Sequence, residues 1–430
     1  MGHGELCNSP MLNSQHYIML IDCNNFYVSC ERLFQPKLNH KPVIVLSNND
    51  GCVIARSNES KRMGIIMGEP FFKIKKFCEA NKVHVFSSNH ELYADMSYRV
   101  MQIIKQHFNH VEIYSIDEAF VGIHAKPDGA DLLVIAKKIQ NHISKYLNIP
   151  TSIGIAKTKT LAKVANRIAK KNHKESICIL KNNQEAQEQL HHIHIEDLWG
   201  IGRQWSKKLK DLGIYSAHEL HQSCEKHLRK HFNIQMEKII LELRGASCFP
   251  LEKKQSKQSI SSSRSLREKT NKKEIILRHI IHHIHTTSEK LRREQGECLS
   301  IQIDLTHIED QKRYHNQSHH TFSIPTADTS ELIKAARILI NLLFRENRYY
   351  KKTGVALGRI KTTDQYQMDI MNKKNKKTRL IMKSVDLINK KMGKGTITFA
   401  QLHEKKHNKN INLNISRRYT TRWEEVLIVH

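Results

Sequence analysis

Residues 111–123 read VEIYSIDEAFVGI. Apolar residues lead into an adjacent carboxylate pair, Asp117 and Glu118, and apolar residues lead away. The pattern predicts two short buried strands meeting at a turn, with the acids at the tip. Adjacent carboxylates repel and raise each other's pKa unless a cation sits between them. A third acid stands in the same setting: Tyr17 to Ile21 (YIMLI) predicts an apolar strand, and Asp22 ends it. If these strands are neighbours, three carboxylates converge at one sheet edge. Hard oxygen ligands of this kind suit magnesium. Two such ions close together are the apparatus of phosphoryl and nucleotidyl transfer. An isolated Asp-Glu pair in a turn is more often merely solvated. Asp22 favours the site reading, because strand ends are where sites gather in α/β sheets.

The rest of the composition bears on the partner. The 430 residues carry a formal charge of +28. Residues 251–430 hold 37 Lys+Arg against 18 Asp+Glu, a net of +19, leaving +9 for residues 1–250. Such an excess implies a polyanion, and nucleic acid is the favoured one. No amphipathic basic helix marks a membrane surface. Nine Cys without a Cys-x-x-Cys pair indicate neither a zinc site nor a disulfide framework. The 28 His include runs such as His282-His283 and His319-His320 that read as solvated surface. A reduced, cytoplasmic compartment fits. No apolar run approaches the ~20 residues of a membrane span. Residues 1–16 lack the apolar core of a signal peptide and read as a disordered leader or a start-site extension.

In chain order, Asp22 is followed by CNNFYVSCERLF, where Asn24 and Asn25 can open a helix with Phe26 and Tyr27 on its first turn. One reading makes both rings core aromatics. The other sets Tyr27 as a plate under an incoming sugar, where it collides with a 2′-hydroxyl and tolerates its absence. KPVIVLSNND predicts a strand and a polar turn. In GCVIARSNESKRMGI, small and apolar residues can lie against a base pair, and Arg56, Lys61 and Arg62 can reach phosphates. A helix is expected from His90 or Glu91, another over 131–147. IPTSIGIAKTKTLAKVANRIAKK predicts a strand, a turn and a basic helix, with Lys157, Lys159 and Lys163 near the anion-favouring helix start. Residues 197–214, DLWGIGRQWSKKLKDLGI, predict two helices joined by Gly200-Ile201-Gly202, a hairpin whose amides can hold a DNA phosphate. Residues 251–262 read as a polar linker. A small α+β module follows: a first strand with Ser and Arg, a helix, the strand LSIQIDL, a loop, a helix over 330–347 and the strand TGVALGRI. The last 70 residues hold a Lys-rich run (373–377), a helix from Lys377 to Lys391, and YTTRWEEVLIVH.

These stretches resemble the Y-family translesion DNA polymerases. The text that carries the likeness is DCNNFYVSCE, KPVIVLSNNDGCVIARS, FSSNHELYADMSYRVM, VEIYSIDEAF, the Gly200–Gly202 hairpin and YTTRW. It runs from about residue 17 to 426, densest over 17–122 and thinnest over 361–410. SNNDGCVIAR and YTTRW resemble the UmuC-type branch in particular. The carboxylates alone point only to the superfamily.

The resemblance implies a multidomain α+β right-hand polymerase. The palm sheet would span 17–38 and 94–181, and small fingers 39–93. An all-α helix-hairpin-helix thumb would span 182–250, then the linker 251–262. An α+β little finger over 263–360 would grip DNA, and 361–430 would be a partner-binding tail. Asp22, Asp117 and Glu118 match the catalytic acids, which with the carbonyl of Cys23 would hold two Mg²⁺ ions. Tyr27 matches the sugar-excluding ring, with Phe26, Arg56, Lys61 and Lys163 at the nucleotide. Gly200, Gly202 and Arg264 would meet DNA. Many members carry a Tyr and an Arg at the triphosphate; here Asn58 and Lys61 stand there, a change shared by UmuC-type chains. The branch's clamp-binding peptide, Gln-Leu-Asn-Leu-Phe, is absent, and Gln365, Met368 and Ile370 keep a related pattern. The implied partners are primer-template DNA, dNTP, a UmuD-type accessory protein, a RecA filament and a sliding clamp, in bacterial cytoplasm. The implied role is error-prone bypass in an SOS-type response. Other readings are a bypass enzyme of the DNA polymerase IV type, a non-catalytic scaffold, or a nucleotidyl cyclase. The intact acids argue against the scaffold. The hairpin and the basic C-terminal module argue against the cyclase.

Overall fold

The computed structural model describes residues 15–126, 129–171, 176–252, 256–310, 312–362, 376–393, 395–399 and 414–427. The chain divides into two compact units, Met1–Lys254 with Asn410–His430, and Gln255–Lys409.

The first unit begins with β1 (Gln15–Cys23), α1 (Phe26–Phe34), β2 (Val43–Leu46), β3 (Val53–Arg56), α2 (Asn58–Arg62), α3 (Phe71–Ala80), β4 (His84–Ser87) and α4 (His90–His107). It continues through β5 (Val111–Ile113), β6 (Glu118–Ala125), α5 (Leu132–Leu147), β7 (Thr151–Ala156), α6 (Lys159–Lys171) and β8 (Ile177–Ile179). A five-stranded sheet has the order β5-β6-β1-β7-β8, with β1 at its centre. Both of its faces are covered. Tyr17, Met19 and Ile21 enter one core with α4 and α5, while Ile18 and Leu20 enter another with Leu161, Ala162 and Ala165 of α6. That is why β1 reads as an unbroken apolar run and not as an alternation.

Gly154 on β7 lets α6 approach. A Cβ there would lie 2.2 Å from the Asn166 amide nitrogen and 2.4 Å from the Ala162 carbonyl. The helix therefore rides on the strand backbone itself, fixing the height of its side chains above β1.

A second sheet, β3-β2-β4, pairs β2 antiparallel to β3 and parallel to β4. Ile44, Leu46 and Val53 pack there against Ile74 and Cys78 of α3. The expected boundary at 93/94 falls inside α4, a single 18-residue helix.

Five helices follow: α7 (Asn183–Leu190), α8 (Arg203–Asp211), α9 (Ala217–Gln222), α10 (Glu225–His231) and α11 (Ile234–Leu243). The Gly200 hairpin differs from expectation on one side. Its leading arm is a single 3-10 turn, Ile195–Asp197, and only α8 is an α-helix. Gly200 has φ +89°, and a Cβ would meet Ile239 at 2.9 Å, so glycine is required there.

The second unit has β9 (Ser259–Thr270), α12 (Lys273–Arg293), β10 (Gly296–Glu309), β11 (Lys312–Thr326), α13 (Thr329–Leu343), β12 (Tyr350–Thr362) and α14 (Lys376–Met392). Its antiparallel sheet runs β11-β10-β12-β9. Helices α12 and α13 share one apolar core with it. Two expectations are corrected. β9 starts inside the expected 251–262 linker. The expected loop before α13 is instead the edge strand β11, whose Tyr, His, Asn, Gln and Ser side chains are mostly exposed or half-buried. An edge strand with so little apolar content carries no period-2 hydrophobic signal.

The expected 361–430 tail is not one body. α14 belongs to the second unit, where Arg292 grips Asp386 through two bonds of 2.7 and 2.8 Å. Residues 414–427 belong to the first, where Tyr419 joins the core and stacks on Phe34 at 4.6 Å.

Candidate active site

Asp22 and Glu118 are Cα partners in the β1–β6 register. Directly opposed residues of an antiparallel pair leave the sheet on the same face. The Cys23 amide donates to the Asp117 carbonyl at 2.8 Å, tying the acid turn to β1. Ser115 closes that turn, its hydroxyl donating to Asp117 Oδ1 at 2.5 Å. The three expected acids thus occupy one end of two adjacent strands.

Two lysines of α6 answer them. Lys163 Nζ lies 2.6 Å from Glu118 Oε2, and Lys170 Nζ lies 2.8 Å from Asp22 Oδ2. Burial pushes Asp22 up to about 6; Lys170 opposes this, while the Glu118 and Asp117 charges add to it. Among the described residues no three His, Cys, Asp or Glu side chains are gathered as a metal site. The Lys163 and Lys170 ammonium groups lie against two of the carboxylates. The donor chemistry still fits a hard cation: these are oxygen ligands beside a carboxyl that its like-charged neighbours disfavour as an anion.

The cationic side of the site comes from α2 and β3. Lys61 Nζ is held by Asn25 Oδ1 at 2.7 Å and Asn58 Oδ1 at 3.2 Å. Burial lowers its pKa, as does repulsion from Arg56 and Lys170, against the pull of Asp22. Arg56 donates to the Ile65 carbonyl. Of the expected cations, Lys163 therefore lies against Glu118 and Lys61 feels the Asp22 charge, while Arg56 lies beside Lys61; Lys170, against Asp22, joins them. Sequence reasoning missed Lys170. Its signal was the seven-residue spacing from Lys163, two turns of one helix face.

Tyr27 is half-buried and stacks on Tyr93, centroids 4.4 Å apart at 15°. Burial raises its pKa, and so does the Asp117 charge. Its neighbour Phe26 is 4% exposed, and its ring packs in the core. Adjacent helix positions differ by about 100°, and only one of the two can face the site. Lys159 opens α6 as expected, but it is buried, in an ion pair with Glu112 at 2.6 Å, and donates to the Pro250 carbonyl.

The hairpin loop is tied to the acid turn. Trp199 Nε1 donates to the Tyr114 hydroxyl at 3.0 Å, and Lys163 sits 4.7 Å above the Tyr114 ring. In the second unit, β9 alternates. Ile260 and Leu266 join the buried face, where Ser262 meets His283 of α12 at 2.9 Å. Arg264 shares that parity and its charge is felt by His279 and His282. The open-face positions are Ser261, Ser263, Ser265 and Arg267. Gln365, Met368 and Ile370 lie outside the described residues. No described helix is long and apolar enough to cross a membrane.

Comparison with known proteins agrees with this architecture. The structure is similar to the "Y-family DNA polymerase chimera Dbh-Dpo4(243-245)-Dbh", with a TM-score of 0.67 and 22% identity, over 81% of this chain and all of that one. It is also similar to the "Insertion ternary complex of Dbh DNA polymerase", with a TM-score of 0.55 and 21% identity over the same shares. The fold is that of the Y-family DNA polymerases. The impB/mucB/samB family matches residues 21–167, its C-terminal domain residues 257–370, and a domain of unknown function residues 379–429. The chain is 38% identical to Protein UmuC of Salmonella typhimurium over 95% of this chain and 99% of that one. It is 33% identical to Protein ImpB of Salmonella typhimurium, over 95% and 98%. A DNA polymerase IV of Bacillus subtilis is 26% identical over 89% and 92%. The chain belongs to the impB/mucB/samB family of Y-family DNA polymerases.

Proposed function

We propose that this chain is a template-directed DNA polymerase that extends primers past damaged bases with low fidelity, in an SOS-type damage response. The observation that carries the reading is the pairing of Asp22 with Glu118 on one sheet face, ringed by Lys61, Lys163 and Lys170. Carboxylates for a divalent ion, set beside fixed cations for a triphosphate, are what nucleotidyl transfer requires.

Two Mg²⁺ ions held by Asp22, Asp117, Glu118 and the Cys23 carbonyl would supply Lewis-acid charge to the primer 3′-hydroxyl and the leaving pyrophosphate. Lys163 and Lys170, which stand beside the acids, would meet the phosphate oxygens of the triphosphate. Lys61, with Arg56 beside it, helps orient the triphosphate. Tyr27, resting on Tyr93, meets the sugar face and excludes a 2′-hydroxyl. The five-stranded sheet serves as the palm, the β3-β2-β4 sheet as the fingers, and α7–α11 as the thumb. The second unit serves as the little finger, with Ser261, Ser263, Ser265 and Arg267 toward the DNA backbone.

The implied partners are primer-template DNA, dNTP, a UmuD-type protein, a RecA filament and a sliding clamp. Relatives' names support the first two, since a structural neighbour is an insertion ternary complex of a DNA polymerase. The test is primer extension opposite an abasic site, with and without a UmuD-type protein. Nucleotide addition opposite the lesion is the expected result. Its absence under every condition, with undamaged template also refused, would make the chain a scaffold.

A further inference from the structure

The segment that ends the described chain, residues 414–427, is anchored to the two helices that carry Tyr27 and Tyr93. Its contacts form one continuous path. The Ser87 amide donates to the Asn414 carbonyl at 3.0 Å, and Ile415 pairs with Ser87 as a parallel bridge. Asn89, the N-cap of α4, accepts from the Leu92 amide through Oδ1. Its Nδ2 donates to the Ser416 hydroxyl at 3.0 Å and to the Ser416 carbonyl at 3.1 Å. The Ser416 hydroxyl in turn donates to Glu31 Oε1 at 2.9 Å. The same carboxylate oxygen accepts from the Tyr93 hydroxyl at 2.6 Å. Tyr93 is the ring on which Tyr27 is stacked.

Glu31 is fully buried, and its Oε2 has no hydrogen-bond partner among the described residues. Among the described residues, hydrogen bonds to its carboxylate therefore go to one oxygen, shared by Tyr93 and Ser416. A buried carboxylate is costly unless hydrogen-bonded, so losing one of two donors disturbs the other strongly. Two more contacts hold the segment in place. Tyr419 stacks on Phe34 of α1 at 11°. Arg418 reaches Glu91 of α4 at 2.7 Å and Glu425 at 3.2 Å.

We propose that the C-terminal segment is a positioning element for sugar selection: through Ser416, Glu31 and Tyr93 it fixes the plane of the Tyr27 ring. The reading rests on Tyr27 as the sugar-excluding plate. A ring that selects by collision works only if it cannot yield. The stack on Tyr93 holds Tyr27 from beneath, the Glu31 bond fixes the Tyr93 rotation, and Ser416 fixes Glu31. Ser416 and Glu31 are positioning residues that act through the stack.

The experiment uses the full-length protein with Ser416→Ala, Ser416→Thr, Tyr419→Leu and Tyr27→Ala. The ratio of kcat/KM for dNTP and rNTP is measured for each, with a thermal melt to confirm folding. Tyr27→Ala reports on the plate itself. Ser416→Ala and Tyr419→Leu are expected to lower the ratio several-fold, and Ser416→Thr, which keeps the hydroxyl, to hold it near the parent value. Added to Tyr27→Ala, Ser416→Ala should change the ratio no further, because the ring it positions is gone. If Tyr27→Ala shifts the ratio while folded Ser416→Ala and Tyr419→Leu do not, the segment has only a structural role and the inference fails. If Tyr27→Ala leaves the ratio unchanged, the plate reading fails instead. Should Ser416→Ala not fold, Tyr419→Leu decides by the same criterion.

Discussion

Asp22 and Glu118 stand directly opposite one another across two antiparallel strands, and each is gripped by a lysine from one helix, α6. A pair of carboxylates so placed is a liability without counter-charge. The two lysines supply it.

Replacing Asp117 or Glu118 with Ala should reduce single-nucleotide addition by roughly 100-fold or more, the scale on which charge-stabilising groups act. The fold should persist, since both residues are only half-buried at a strand end. Single-turnover primer extension with a circular-dichroism melt checks both halves of the statement. Extension at the parent rate by both variants would end the reading.

Metal should bind at the same place. Chelation with EDTA is expected to abolish extension, and Mg²⁺ to raise the melting temperature of the protein without DNA. Asp22→Asn should weaken Mn²⁺ binding seen by electron paramagnetic resonance. Undiminished binding in that variant would place the ions elsewhere.

Gly154→Ala should damage stability and activity together. The new methyl would have to displace backbone at Asn166 and Ala162, not a flexible side chain. Overpacking of this kind costs about 1–3 kcal/mol or more. It would lift α6, and Lys163 and Lys170 with it. A lowered melting temperature with a raised KM for dNTP is expected. A parent-like melt would mean that the strand and helix tolerate the shift.

Glu31 gives a pH signature. Burial raises its pKa from 4.5 to about 7, with the Tyr93 and Ser416 hydrogen bonds pulling it partly back. Between those values the folded protein keeps a proton that the unfolded chain has released. Its contribution to stability is therefore full below about 4.5 and is lost as pH rises toward about 7. Glu31→Gln, which cannot ionise, should flatten the fall in urea-unfolding free energy over that window. The same slope in both proteins would assign the pH dependence to another group.

Much of this was legible in one dimension. The acids at strand ends, the basic helix after β7, and the Gly200 turn all follow from local pattern, because strand burial and positive-φ glycine leave marks at short range. The hairpin's first arm and strand β11 were misread. One is too short for a helical period, and the other lies at a sheet edge where few side chains are buried. Phe26 and Tyr27 looked alike as neighbours. The 100° step of a helix sent one ring to the core and left the other half-buried beside the acids.

The sequence by itself determined which chemistry was possible: three acids, a ring beyond the first of them, and an excess of cationic charge. The tertiary structure alone decided which lysine meets which acid, since only the bare backbone of Gly154 sets α6 at that height. It alone decided that residues 414–427 reach back to Glu31, 385 positions away in sequence from Ser416. No local periodicity records a contact across that separation. It exists because a buried carboxylate needs donors, and the folded chain brings them.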